Sequence, residues 1–215
     1  MKAGAPQKGL AFIGLAAAVF ALLPLFGISP FVESFLYLLF FWIALATSWS
    51  ILSGFTGYIS FGHGAFYGVG MYATANLGAR TSIWVCLLAG GVLAAVLGAV
   101  VGFIVFRVKR LRGELFALLT LAVTFVVATV ILNTPIDGGG GIFMSAVPLP
   151  ALMPTPTGTI YLLGFILCVA SLLIAWKVAH SRLGMGLYAI HDDEDVAEAK
   201  GVPTFRYKLI AFGLS

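Results

Sequence analysis

Five stretches of this chain hold no Asp, Glu, Lys or Arg: residues 9–32, 34–79, 81–106, 115–136 and 138–176. Each matches or exceeds the ~20 apolar residues that a helix needs to cross the hydrocarbon core of a bilayer. Such runs cannot all be hidden in a water-soluble globule of 215 residues that is 61% hydrophobic and 9% charged; an average soluble domain carries about 25% charged residues. The fold class that remains is all-α, a polytopic helical membrane protein whose surroundings are membrane lipid. Disordered chains, disulfide frameworks and soluble nucleic-acid binders all require compositions that this chain lacks.

Two of the five stretches must be divided. The one from 34 to 79 is interrupted near Ser53-Gly54-Phe55-Thr56-Gly57, and the last begins with a Gly/Pro-rich loop. Division gives about six complete transmembrane helices, at 9–26, 31–52, 60–77, 83–106, 115–132 and 159–178. A final apolar run, 209–215, is too short to cross and reads as the start of a seventh helix in a chain truncated at its C-terminus. The first segment shares with secretory signals the basic residues Lys2 and Lys8 before an apolar run. No A-x-A-like site follows Pro24, and the next span begins almost at once, so a retained helix is expected.

The basic residues test this division. Lys2 and Lys8, then Arg107, Lys109, Arg110 and Arg112, then Lys177, Arg182, Lys200, Arg206 and Lys208 all fall by parity on one face. Of the 12 Lys and Arg, Arg80 alone falls on the other. The positive-inside rule makes the basic face cytoplasmic and places the N-terminus inside.

No expected span carries an ionisable residue at its middle, the usual mark of ion-coupled transport. Glu33 is read as a solvated carboxylate at a helix start. The chain has no G-x-x-x-x-G-K-[ST] motif, so it has no P-loop for ATP and no cofactor of its own is expected; if it transports actively, energy comes from another subunit. Cys86 and Cys168 lie singly in apolar runs, without the spacing of a metal site.

The densest unusual segment is Ser53 to Gly70, with six glycines. A continuous helix is weakened there, and irregular backbone at membrane depth must be buried in protein or line a watery path. Gly64 and Gly68, like Gly98 and Gly102, form G-x-x-x-G pairs suited to close helix packing. For His63, with no carboxylate or second histidine nearby in sequence, a hydrogen-bonded structural role is favoured over a proton switch. Ser48, Ser50, Ser53, Thr56 and Ser60 offer hydroxyls either to a polar solute or back to helix carbonyls. On the outer side, 133–158 holds Asp137-Gly138-Gly139-Gly140-Gly141 and Pro148, Pro150, Pro154 and Pro156, and reads as an exposed connector, a surface for an extracytoplasmic partner or a gate beside the entry. On the inner side, 179–208 contains its own short helix: Asp192, Asp193, Glu194 and Asp195 at its start, Lys200 at its end, then Gly201 and Pro203. It is either a solvated connector or a lever on which a motor subunit pushes.

These residues carry a family resemblance. Gly57-Tyr58-Ile59-Ser60-Phe61-Gly62-His63-Gly64-Ala65-Phe66-Tyr67-Gly68-Val69-Gly70-Met71-Tyr72 resembles the G-x-x-S-x-G-H-x-A-F-x-x-x-G-A-Y segment of branched-chain amino-acid ABC transporter permeases of the LivM type. Leu111 to Ala122 resembles L-R-G-x-Y-F-A-x-x-T-L-A, and Ser181 to Glu194 resembles S-R-x-G-R-A-x-x-A-I-R-x-D-E. Ala197 to Phe212 resembles A-E-x-x-G-x-x-x-x-x-x-K-L-x-A-F. Met185-Gly186 depart from the usual Arg-Ala, His191 replaces a common Arg, and 135–142 follows T-G-G-x-x-G-I only loosely.

The resemblance implies a multi-pass bacterial inner-membrane permease, not an enzyme, that works by alternating access on branched-chain or related small amino acids. It implies a homologous second permease, two cytoplasmic ATP-binding subunits that bind the ATP, and a periplasmic substrate-binding protein. Residues 1–215 would form one transmembrane permease domain, with 181–206 as its cytoplasmic coupling loop. Carried over by position, Asp193, Glu194, Ala197, Glu198, Ala199 and Gly201 would contact or orient the ATPase, and Gly57, Ser60, Gly62, His63 and Gly64 would lie by the substrate path. Catalytic residues and metal ligands are not expected. The rival readings are a permease for urea or short-chain amides, an ion-coupled secondary carrier, and a non-transporting scaffold. Labelling from either side of the membrane is expected to find Arg110 and Glu198 on the same face; opposite faces would overturn the topology.

Overall fold

The computed structural model describes residues 14, 18–78, 80–108, 113–135 and 149–215. Among these residues the regular structure is helical, with no strand. The helices are α1 (Pro30–Thr56), α2 (His63–Gly78), α3 (Ile83–Arg107), α4 (Glu114–Leu132), α5 (Pro156–Ala179), α6 (Arg182–Asp192), α7 (Glu194–Ala199) and α8 (Thr204–Leu214). Of these, α1, α3, α4 and α5 are long and apolar enough to cross a membrane. They are apolar on all sides, the pattern of a helix surrounded by lipid or protein rather than one with a wet face. Large side chains such as Leu88 and Phe125 stand 71% and 65% exposed, a surface that hydrocarbon suits and water does not. The protein is therefore an all-α, polytopic membrane protein.

Expected spans 31–52, 83–106, 115–132 and 159–178 correspond to α1, α3, α4 and α5, with ends moved by about one turn at most. Helix α5 starts earlier than expected because Thr155 caps it: its hydroxyl accepts a hydrogen bond from Gly158 N at 3.0 Å, with Pro156 at the first helical position. Span 60–77 is corrected to the 16-residue α2, which begins at His63. The interruption expected near 53–57 also moves: α1 runs on through Thr56, and the non-helical segment is 57–62. Span 9–26 lies partly outside the described residues; within it, 14 and 18–22 are helical and the chain passes into a 3-10 turn, Leu23–Phe26. The Asp137–Gly141 run also lies outside them.

The chain divides into two compact units. The first comprises Met1–Ser48 and Pro150–Arg182. Its core is Phe40, Tyr161, Phe165 and Cys168, with Phe40 edge-on to both Tyr161 and Phe165. The Tyr161 hydroxyl donates to Phe20 O at 2.7 Å. Glu33 is not the solvated carboxylate expected. It is 5% exposed, and its Oε2 accepts from Thr157 Oγ1 at 2.6 Å and Thr155 Oγ1 at 3.2 Å. The threonines that open α5 replace water around the carboxylate, which is the condition for burying it.

The second unit comprises Trp49–Leu149 and Leu183–Ser215. Here α2 and α3 approach through glycine: a Cβ at Gly90 would lie 3.1 Å from the Gly70 carbonyl oxygen and 3.3 Å from Gly70 Cα. Gly98 and Gly102 pack as the sequence suggests, against α8. A Cβ at Gly102 would lie 2.7 Å from Phe212 Cδ1 and 3.0 Å from Leu209 Cδ1. For the other pair, among the described residues of this chain, a Cβ at Gly68 would meet nothing within 4 Å and one at Gly64 only the Thr124 methyl at 3.8 Å. Substituting Gly90→Val should force the α2 and α3 backbones apart and cost about 1–3 kcal/mol, whereas Gly91→Val, next to it but facing open space, should leave thermal unfolding in detergent nearly unchanged.

Candidate functional site

The functional region of the second unit grows from the broken backbone at 57–62. Gly57 sits at φ +73°, a left-handed conformation that strains any residue with a side chain, and this turns the chain out of α1. The His191 ring lies against it: a Cβ at Gly57 would be 3.5 Å from His191 Cδ2. The released backbone groups are taken up by side chains. Tyr58 N donates to Thr56 Oγ1 at 3.2 Å, Ser60 N to Ser53 Oγ at 3.2 Å, Phe61 N to Thr120 Oγ1 at 3.0 Å and Gly62 N to Ser60 Oγ at 3.2 Å. In return Ser60 O accepts from Trp49 Nε1 at 2.9 Å and Phe61 O from Thr124 Oγ1 at 3.1 Å. Each bond offsets the cost of burying an unpaired backbone group, on the order of 2–7 kcal/mol. The hydroxyls of Ser53, Thr56 and Ser60 are thereby engaged with backbone.

Of the residues the sequence places by a substrate path, Ser60 and Gly62 are buried in this segment, Gly57 and Gly64 are exposed, and His63 is half-buried at the start of α2. The hydrogen-bonded role expected for His63 is met at most by the Ser60 backbone, which lies close enough to act on the ring but outside good hydrogen-bond geometry. The ring also stands nearly at right angles to that of Phe66, with centroids 6.0 Å apart.

The 179–208 segment folds into more than the one short helix expected, because α6 precedes it. Asp193 caps α7, its Oδ1 accepting from Asp195 N at 2.9 Å and Val196 N at 3.0 Å. Gly201, at φ +86°, ends that helix as its position after Lys200 suggests. Ala197 is buried, whereas Asp193, Glu198, Ala199 and Gly201 are exposed. Glu194 turns inward. Its Oε1 pairs with Lys208 Nζ at 2.6 Å, and its Oε2 accepts a short hydrogen bond from the Tyr58 hydroxyl.

This three-residue cluster joins the broken backbone, α7 and α8. Both charged side chains are more than nine-tenths buried, at 7% exposure for Lys208 and 9% for Glu194. The Lys208 ammonium also lies 4.8 Å from the centre of the Tyr58 ring and 5.3 Å from that of Phe106, within cation–π range. Phe106, Phe116 and Phe212 pack around it from α3, α4 and α8. Removing one member of a buried ion pair strands the other and costs about 3–5 kcal/mol. Beside the cluster opens a cleft of about 470 Å³ lined by Gly57, Tyr58, His191, Asp192, Asp193 and Asp195 among others. No group of three His, Cys, Asp or Glu suited to a metal ion occurs among the described residues.

Sequence reasoning passed over Tyr58 and Lys208, although both stand in the motifs quoted for the family resemblance. The available signal was a single lysine inside an apolar helical run, Tyr207 to Phe212, where a charge needs a partner. Thr120 was missed because its hydroxyl looks like any other helix threonine. Its replacement in Thr120→Val keeps the shape, leaves Phe61 N unpaired, and should cost about 1–3 kcal/mol, read as a lower unfolding temperature in detergent.

Comparison with known proteins agrees with this architecture. The chain is 28% identical, over 202 residues that take in 81% of this chain and 47% of the relative, to a protein from Escherichia coli (strain K12) named high-affinity branched-chain amino acid transport system permease protein LivM. The protein of that name from Salmonella typhimurium matches to the same extent. The chain thus spans about half the length of these curated relatives. No solved structure matches it. Residues 31–215 match the family described as "Branched-chain amino acid transport system / permease component", and since that match takes in α1 to α8 and every residue of the buried cluster, the chain belongs to this family of transport permeases.

Proposed function

We propose that the chain is a transmembrane permease subunit of an ATP-binding-cassette importer in the bacterial inner membrane, with its N-terminus cytoplasmic. It moves branched-chain or related small amino acids by alternating access and does no chemistry on them. ATP is bound and hydrolysed by two separate cytoplasmic subunits. A periplasmic binding protein delivers the solute, and a homologous permease completes the path. The names of the relatives support the solute class; the charge asymmetry of the loops supports the orientation.

The observation that carries this reading is the build of the 181–206 segment. An outside motor needs a piece of the permease that is exposed to it on one side and fixed to the transmembrane body on the other. Helix α7 has both properties: Glu198 and Ala199 are exposed, while Ala197 and Glu194 face inward, Glu194 tied by its ion pair. In this reading Asp193 and Gly201 set the two ends of the helix, Glu198 and Ala199 meet the ATPase, and Glu194 and Ala197 orient the helix from within. The broken segment, with Gly57, Ser60, Gly62, His63 and Gly64, borders the path. Closure of the motor displaces α7 and biases the permease between inward- and outward-open states.

The test is reconstitution of the full-length permease with its partner subunits in proteoliposomes. Uptake of labelled leucine, isoleucine or valine is expected to require ATP. The variant Glu198→Arg should insert normally and hydrolyse ATP while uptake falls about tenfold, a coupling loss within the usual range. Uptake that continues without the ATPase subunits would instead make the protein an ion-coupled carrier.

A further inference from the structure

The ion pair explains how α7 is held, but it leaves the Tyr58 hydroxyl unaccounted for. A tyrosine in that aromatic cluster could pack as well without its oxygen, since its ring meets Phe106 and Phe116, on which Phe212 packs in turn, all on apolar terms. Instead the hydroxyl donates to Glu194 Oε2, the oxygen that the Lys208 bond does not use. The lysine supplies a second, longer contact to the same hydroxyl at 3.4 Å. One carboxylate therefore grips two elements at once, α8 through Lys208 and the broken segment through Tyr58.

The position of Tyr58 gives that grip an effect. It follows Gly57, whose left-handed φ is the pivot where the chain leaves α1. Beyond it, the backbone through Gly62 lacks a helical ladder and is held by separate side-chain bonds, two of which, at Phe61 N and Phe61 O, come from Thr120 and Thr124 of α4. A displacement of Glu194 is thus passed to Tyr58, and from there along a short irregular segment to α4. A rigid helix would resist such a movement. A segment with one glycine pivot and individually exchangeable bonds can take up two arrangements.

We propose that Tyr58 is the positioning residue that transmits the stroke of the coupling helix into the transmembrane body, through the bond from its hydroxyl to Glu194. This rests on reading 181–206 as the element on which the ATPases act. The ion pair with Lys208 holds Glu194 in place, so that α7 and α8 move as one piece; the Tyr58 bond connects that piece to the broken segment.

Two variants of the full-length permease, reconstituted with its partner subunits, separate transmission from stability. Tyr58→Phe removes one oxygen and retains the ring. It should assemble and hydrolyse ATP at near wild-type rates, while leucine taken up per ATP hydrolysed falls about tenfold. Glu194→Gln removes the ion pair but keeps an acceptor for Tyr58, so its unfolding temperature should drop further than that of Tyr58→Phe while its uptake per ATP falls less. The proposal is overturned if Tyr58→Phe couples like the wild type, if it fails to assemble, or if uptake per ATP follows unfolding temperature in both variants. Wild-type transporter with no ATP-dependent uptake would refute the functional reading itself. Coupled wild type, uncoupled Glu198→Arg and coupled Tyr58→Phe would refute only the role of the tyrosine.

Discussion

A peptide group buried away from water must find its hydrogen-bond partner within the protein, and this constraint accounts for most of what is unusual here. The long helices satisfy it internally. At 57–62 the helix is broken and the constraint must be met by other means, so Thr56, Ser53, Ser60, Trp49, Thr120 and Thr124 converge on a few residues of backbone. Glu33 in the other unit obeys the same rule, with two threonine hydroxyls standing in for its hydration shell. A polar group that no side chain could reach would have been replaced by regular helix.

The same physics decided what the sequence could disclose. Uncharged runs marked α1, α3, α4 and α5 because length and hydropathy are summed over many residues and tolerate local exceptions. The ends of those helices were less legible, since they depend on single caps such as Thr155 and on single pivots such as Gly57. The acidic start and glycine end of α7 were readable, as capping is local. The direction in which Glu194 points was not. Its partners lie 14 and 136 residues away, and nothing in a run of four acidic residues distinguishes the one that turns inward. For His63 the sequence suggested a hydrogen bond but could not show that the ring would also pack against Phe66.

The departures from the family pattern fit their surroundings. Gly186 stands where alanine is usual, and a Cβ there would run into the ring of Tyr207. The small residue and the large one are thus two halves of one packing arrangement, with Val202 beside them. Met185, where arginine is usual, is 65% exposed on the surface of α6 and disturbs nothing inside. His191, in place of another arginine, lies with its flat ring against Gly57, the point at which α1 ends.

The cluster of Tyr58, Glu194 and Lys208 also has a consequence for how the polypeptide is made. Tyr58 leaves the ribosome long before its acceptor, which follows 136 residues later, and before Lys208, 150 residues on. Early in that interval the kinked segment has only the partners from Trp49 to Ser60; Thr120 and Thr124 follow 59 and 63 residues after Phe61, and the outer clasp comes last. Glu194 and Lys208, separated by only 14 residues, emerge nearly together. The two charges can therefore neutralise each other before they meet the apolar aromatic wall that finally encloses them, and closing the clasp becomes a late event of biogenesis.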